Sequence, residues 1–260
     1  MSTLPWLYSS ILAGSMILAV LQSAGVTIFN NIASNNWILR KQGLQQLTEN
    51  ADLLKTPAAK TALLALLDKE TNLVGDPESN EANKGGEEYA EYYGHLLDVV
   101  DSVVDSRDAT AVAVLVRSIY NPDSRFALKL ASYGESTVTP LLELSLSQTA
   151  HKRSIAAEML GRVLRAQRLG ASKQPLTNQS TRDIEQRLRS SLRDAESLVR
   201  KAAIRGAVAA GDLESISVLE QMRNTDPEVQ TLPDGRIKYS VRESAAKAIM
   251  AIRARPLAHR

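Results

Sequence analysis

The sequence predicts an all-α fold, a right-handed α–α superhelix of about five helical hairpins, with a small β-hairpin inserted near 229–239. Three observations predict it. Apolar residues recur at the helical period of 3.6 along most of the chain, and many of them are alanines small enough to let helices approach closely. A short register, Arg-x-x-small, returns several times. Finally, Ala and Leu are abundant while aromatic residues make up only 4% of 260 residues, a composition that suits helix-on-helix packing better than a large sheet.

The clearest instance runs from Asp194 to Asp212. Asp194 is expected to cap a helix start by accepting backbone N–H groups that lack a partner inside the helix. Leu198, Val199, Ala202, Ala203, Ala207 and Ala210 form the expected apolar face, and Gly211 the left-handed C-terminal stop. The register recurs at Arg40-Lys41-Gln42-Gly43, Arg153-Ser154-Ile155-Ala156, Arg200-Lys201-Ala202-Ala203 and Arg242-Glu243-Ser244-Ala245. Spacings of 47 and 42 positions separate the last three, and a degenerate copy at Arg125 lies 28 before Arg153. Periods of this size signify stacked helical-hairpin repeats.

Asp194 to Ala203 and Val241-Arg242-Glu243-Ser244-Ala245-Ala246 resemble the HEAT repeat family. The shorter Arg125-to-Arg153 spacing resembles the compact HEAT variant of phycobilisome lyase subunits. The resemblance covers roughly residues 36 to 254. It implies an ARM-type fold, an α solenoid whose repeat domain spans 30–260 and which binds protein partners on a concave helical surface.

Taken in order, the first 39 residues carry no charged side chain. Ile11 to Leu21 is an apolar core followed by Ser23-Ala24-Gly25, the pattern of a secretory signal peptide over residues 1–25. A buried capping helix and a membrane helix are the other readings, the last only just long enough to span. A cleaved signal would place the protein in the periplasm or outside the cell, an uncleaved segment would give it a membrane contact, and a folded one would leave it cytoplasmic.

Asn36-Trp37-Ile38-Leu39-Arg40 opens the first repeat helix, which ends near Asn50. Its partner starts at Thr56-Pro57, where proline's missing N–H is no loss, and runs to Val74. Gly75 to Gly86 is polar and rich in breakers, so an exposed loop is expected, without the acid spacing of a calcium site. The helix from Glu87 presents Tyr89, Tyr93, Leu96, Leu97, Val100 and Val104 on one stripe, with His95 half-buried. Ala111–Tyr120 follows, then a helix capped by Asn121-Pro122 and closed by Gly134, then Ser136–Leu146. A loop from Gly170 to Ser180 separates two helices, and Leu213–Arg223 is another. Pro233-Asp234-Gly235 between two alternating runs marks a hairpin turn, since Pro fixes φ and Gly takes a positive one. It either caps the terminal core or closes a groove. Ser240 to about Ala254 ends the fold.

Function is less legible. The formal charge of +2 is too small to imply a polyanionic partner for the whole molecule, and the absence of cysteine excludes disulfides, thiol catalysis and thiolate metal sites. No phosphate-cradling glycine motif, His-Glu-x-x-His or Gly-x-Ser-x-Gly pattern is present. The three histidines stand far apart. No catalytic residue, metal site or cofactor is expected. Residues 152–205 hold thirteen Lys or Arg against five Asp or Glu. A scaffold for a protein or peptide is the preferred reading, with Arg182, Arg189, Arg193, Lys201, Arg205 and Arg242 as partner-binding residues on or beside the helices expected to line the concave side. A nucleic-acid-binding HEAT-like protein using this basic segment is the alternative, weakened because no aromatics are interleaved for base stacking. A lyase or assembly-factor subunit of the phycobilisome-lyase type is a third reading, carried by the compact repeat alone.

Overall fold

The computed structural model describes residues 25–74 and 80–255. The expected signal peptide therefore lies outside the described residues except for Gly25, as do His259 and positions 75–79 of the expected loop. What is described is helical, apart from one two-stranded sheet, and it divides into two compact units between Val104 and Asp105.

The first unit contains α1 (residues 25–33), α2 (Trp37–Glu49), α3 (Ala51–Leu54), α4 (Pro57–Val74) and α5 (Asn80–Val103). Asn36 caps α2 by accepting the Ile38 N–H, and Thr56 accepts the Ala59 N–H at the start of α4, as its place before Pro57 predicts. The loop expected up to Gly86 is shorter than that. The backbone is already helical from Asn80, and the break sits at Gly86 itself, whose φ of 52° glycine takes without a Cβ penalty.

Leu44, Leu47, Leu63, Leu67, Leu96 and Val100 are fully buried. Tyr92 joins them, whereas Leu97 of the expected stripe is only half-buried and His95 is exposed. Arg40 and Glu70 are also fully buried. Arg40 donates through Nε and Nη2 to the Glu70 carboxylate, and through Nη1 to the carbonyls of Ser34 and Asn35 at 3.1 and 2.8 Å. Glu70 further accepts the hydroxyls of Tyr89 and Tyr92, and Trp37 packs edge-on against Tyr89. Every charge of this cluster is therefore hydrogen-bonded, the condition for tolerating ions in an apolar interior. Burial, with the Glu70 charge behind it, pushes the Tyr92 phenol well above the usual tyrosine range.

The second unit contains α6 (Ala109–Arg117), α7 (Arg125–Ala131), α8 (Glu135–Leu144), α9 (Ala150–Arg168), α10 (Asn178–Ser191), α11 (Ser197–Ala210), a 3₁₀ turn (Leu213–Ser215), α12 (Ile216–Thr225), β1 (Gln230–Thr231), β2 (Ile237–Lys238) and α13 (Ser240–Arg253). α9 is buried along its middle, from Ser154 to Gly161, and packs closely against α11. The reason is a backbone approach that no side chain would allow. A Cβ on Gly161 would lie 2.1 Å from the Gly206 carbonyl oxygen, and one on Gly206 would lie 2.5 Å from that of Ala157. α11 also packs against α13, and Ala202, Ala203, Ile204, Val241, Ala245, Ile249 and Ile252 close that part of the core.

Gly211 ends α11 with φ 62° and ψ 38°, the left-handed cap expected of it. Other expectations move by a few residues. The N-cap of α11 is Glu196, not Asp194; Asp194 instead accepts the Glu196 N–H in a turn two residues upstream. Leu198, expected in the apolar face, is 46% exposed, because the buried side of α11 is centred on Val199, Ala202, Ala203 and Gly206. Ser124 rather than Asn121 caps α7, Asn121 being used in a turn to Asp123. The Gly170–Ser180 loop is pinned down: Lys173 N–H donates to the Ser132 carbonyl at 2.7 Å, and α10 already begins at Asn178. The expected hairpin is present, antiparallel, with Gln230 opposite Lys238 and Thr231 opposite Ile237.

Candidate partner-binding surface

The recurring arginines turn out to be fasteners of the fold. Arg153 donates through Nε and Nη2 to Asp194 at 2.9 and 3.0 Å, and through Nη1 to the carbonyls of Ser147 and Gln148. Arg200 does the same with Asp226, at 2.7 and 3.0 Å, and with the carbonyls of Asp194 and Ala195. Arg40 repeats the pattern in the first unit. Each stands four residues past its N-cap, which is Asn36, Thr149 or Glu196. At that place the planar guanidinium fork reaches back to the incoming chain and across to a carboxylate at once.

Register explains the two imperfect copies. Arg125 immediately follows its N-cap, Ser124, and is exposed. Arg242 is one residue early relative to Tyr239; its Nε donates to the Asp226 carbonyl at 2.7 Å and its guanidinium lies 4.3 Å from the centre of the Tyr239 ring. Asp194 and Asp226 thus each hold one arginine by the carboxylate and the next by the carbonyl, tying α9, α11 and α13 in sequence. In Asp194, burial raises the carboxyl, but the Arg153 hydrogen bonds, the Glu196 N–H and the Arg153 and Arg200 charges together outweigh it and hold it below the ordinary value.

The six residues singled out for partner binding do not form one patch. Arg182 is exposed on α10 and donates to Gln179. Arg189, half-buried, lies 2.8 Å from the Glu214 carboxylate and 3.6 Å from that of Asp212. Arg193 falls beyond the end of α10 at Ser191, so it does not share that helix with Arg182 and Arg189. Lys201 lies 3.9 Å from Glu228. Arg205 donates to the buried Glu158 at 2.8 Å, which also accepts Arg162. No family model matches this chain, and no curated protein matches it significantly.

Lys201 and Arg242 do come together at one place, the segment Asp226–Glu228 that leads into the hairpin. From Val229 to Tyr239 the hairpin is exposed except for a half-buried Leu232, with Val229, Ile237 and Tyr239 all uncovered. The terminal core is filled by α13 itself. Among the described residues no group of three or more His, Asp or Glu could hold a metal ion, and no helix is long and apolar enough to cross a membrane. Sequence reasoning missed Glu70, Asp194 and Asp226 as arginine acceptors. The signal lay in the register, since an arginine four residues past a cap, repeated, calls for an acceptor at each copy.

Proposed function

We propose that this chain is a non-catalytic, HEAT-like helical-repeat scaffold, its hairpins stacked in a right-handed superhelix, that holds another protein or peptide. The observation that carries this reading is the hairpin at 229–239. It contributes no fully buried residue to the core, yet it is held by specific contacts: Arg242 stacks on Tyr239 and bonds the Asp226 carbonyl beneath it. An isolated two-stranded ribbon is marginal in water, and its apolar side chains Val229, Ile237 and Tyr239 face solvent. Such a feature is best accounted for by a bound segment, which would lie along the hairpin and the neighbouring Lys201 and Arg242.

The nucleic-acid reading has less support, because much of the basic segment is already engaged. Arg153, Arg162, Arg187, Arg189, Arg200 and Arg205 have carboxylate, hydroxyl or carbonyl partners within the fold, leaving fewer guanidiniums for phosphates. The test is a peptide-display selection against the intact protein and against a variant with 232–237 replaced by a short glycine linker. Peptides are expected to be enriched on the intact protein and to lose binding on the variant, whose melting temperature stays within a degree or two. Binding that survives removal of the hairpin refutes the proposed surface.

A further inference from the structure

A cavity of about 660 Å³ in the second unit opens where α9, α11 and α13 end together. That volume is in the range of small-molecule sites. Its apolar lining includes Leu169, Leu213 and Ile252, the first two well exposed to solvent. Around that lining stand Arg165 and Arg168 from the last turn of α9, and Arg255 just past α13.

Arginines near helix C-termini complement the negative end of the dipole, and Arg255 partly does so, donating to the Ala209 carbonyl at 3.2 Å. Three guanidiniums directed at one cavity go beyond that need. A Cβ on Gly211 would lie 2.6 Å from Arg255 Nη1 and 3.1 Å from Arg168 Nη1, so these groups face each other across the bare backbone of a glycine. Burial lowers the Arg255 pKa first, and the charges of Arg165 and Arg168 lower it further. Like charges so placed repel, and of the three only Arg168 has a carboxylate within 4 Å among the described residues.

Acidic groups also line the cavity, but they are committed. Arg189 is paired with Asp212 and Glu214, and Arg168 approaches Glu185 at 3.8 Å. Arg165 and Arg255 make no ion pair among the described residues. Two surplus guanidinium forks above an apolar floor match a ligand with an anionic head of two oxygens and an apolar body, since the fork meets a carboxylate with two parallel hydrogen bonds.

We propose that this cavity binds an apolar group bearing a carboxylate, with the carboxylate held between Arg165 and Arg255 and the apolar part on Leu169, Leu213 and Ile252. The carboxylate could belong to a free medium-chain acid or to the C-terminal residue of a peptide. The site lies apart from the hairpin, so it stands or falls independently of the scaffold reading.

The test is calorimetric titration with octanoate, with octanol, and with a short peptide ending in leucine as free acid or as amide. Saturable binding of octanoate or of the free-acid peptide, at least tenfold tighter than octanol or the amide, supports the site and tells which source fits. Arg165→Gln and Arg255→Gln should each weaken it about tenfold and 0.5 M salt should weaken it further, while Arg193→Gln, an exposed arginine elsewhere, leaves it unchanged. The exposed positions of Arg165 and Arg255 make loss of folding an improper explanation, and an unchanged melting temperature confirms that. Equal binding of acid and alcohol, no binding of either acid, or undiminished binding to the double Arg165→Gln, Arg255→Gln variant overturns the proposal.

Discussion

Asp194 and Asp226 each serve two arginines by two different chemistries, and the consequences are separable. The Arg200 and Asp226 side chains are only 8% and 3% exposed. Arg200→Met therefore strands a buried carboxylate, and chemical denaturation should show a loss of about 3–5 kcal/mol. Asp194 sets a pH dependence. Its carboxyl is held below the ordinary value of 3.8, so the native state gains stability from the ionised form. That contribution is complete well above pH 3.8 and is lost as pH falls through the lower native value. Asp194→Asn should flatten the acid limb of a stability-against-pH curve between about pH 5 and 2 and leave its slope near neutrality unchanged. The arginine register was visible in the residues, whereas its acceptors were not. Asp194 looked like a cap because an aspartate two residues before a cap and one at the cap read alike until the backbone is seen.

At the scale of elements, the α9–α11 crossing is a backbone approach made by a pair of glycines. Its small residues were legible as an alanine-rich face, but the glycine pair was not, because a sequence does not say which residue meets which. Gly206→Ala should cost about 1–3 kcal/mol despite alanine's better helix propensity, since its methyl would meet the Ala157 carbonyl, and backbone cannot step aside as a side chain can. A melting temperature at or above that of the unchanged protein would show that the two helices have room to part. The hairpin was legible for the opposite reason. Pro233-Asp234-Gly235 is a local signal, and Gly235 takes φ 80° as that turn requires. Whether the strands were buried depends on tertiary packing and could not be read from the turn.

For the whole chain, the sequence offers one continuous series of helical repeats, while the folded chain has two compact units with different interiors. The first is organised round a charged, hydroxyl-rich centre, Arg40 with Glu70, Tyr89 and Tyr92. The second relies on small residues and on arginines at the helix starts. Glu70→Ala leaves Arg40 buried without its carboxylate and two tyrosine hydroxyls without their acceptor. Hydrogen exchange should then rise strongly over residues 25–104 and change little over 105–255; equal acceleration in both would mean that the two unfold as one cooperative body. Composition could not announce this division, because both units draw on the same leucines and alanines. It falls in the polar stretch between α5 and α6, which reads like any other turn.

The alternation of carboxylate and carbonyl along Arg153, Asp194, Arg200, Asp226 and Arg242 has a mechanical meaning. Each aspartate joins the arginine behind it to the one ahead, so tension applied along the row passes from helix to helix through side chains as well as through the backbone. The links are not equal. Arg153 and Arg200 grip carboxylates with two bonds each, whereas Arg242 has a single carbonyl and an aromatic ring. Under an increasing pull the α13 end is expected to give way before α9 and α11 part, an order that a forced-unfolding trace would show as two separate steps.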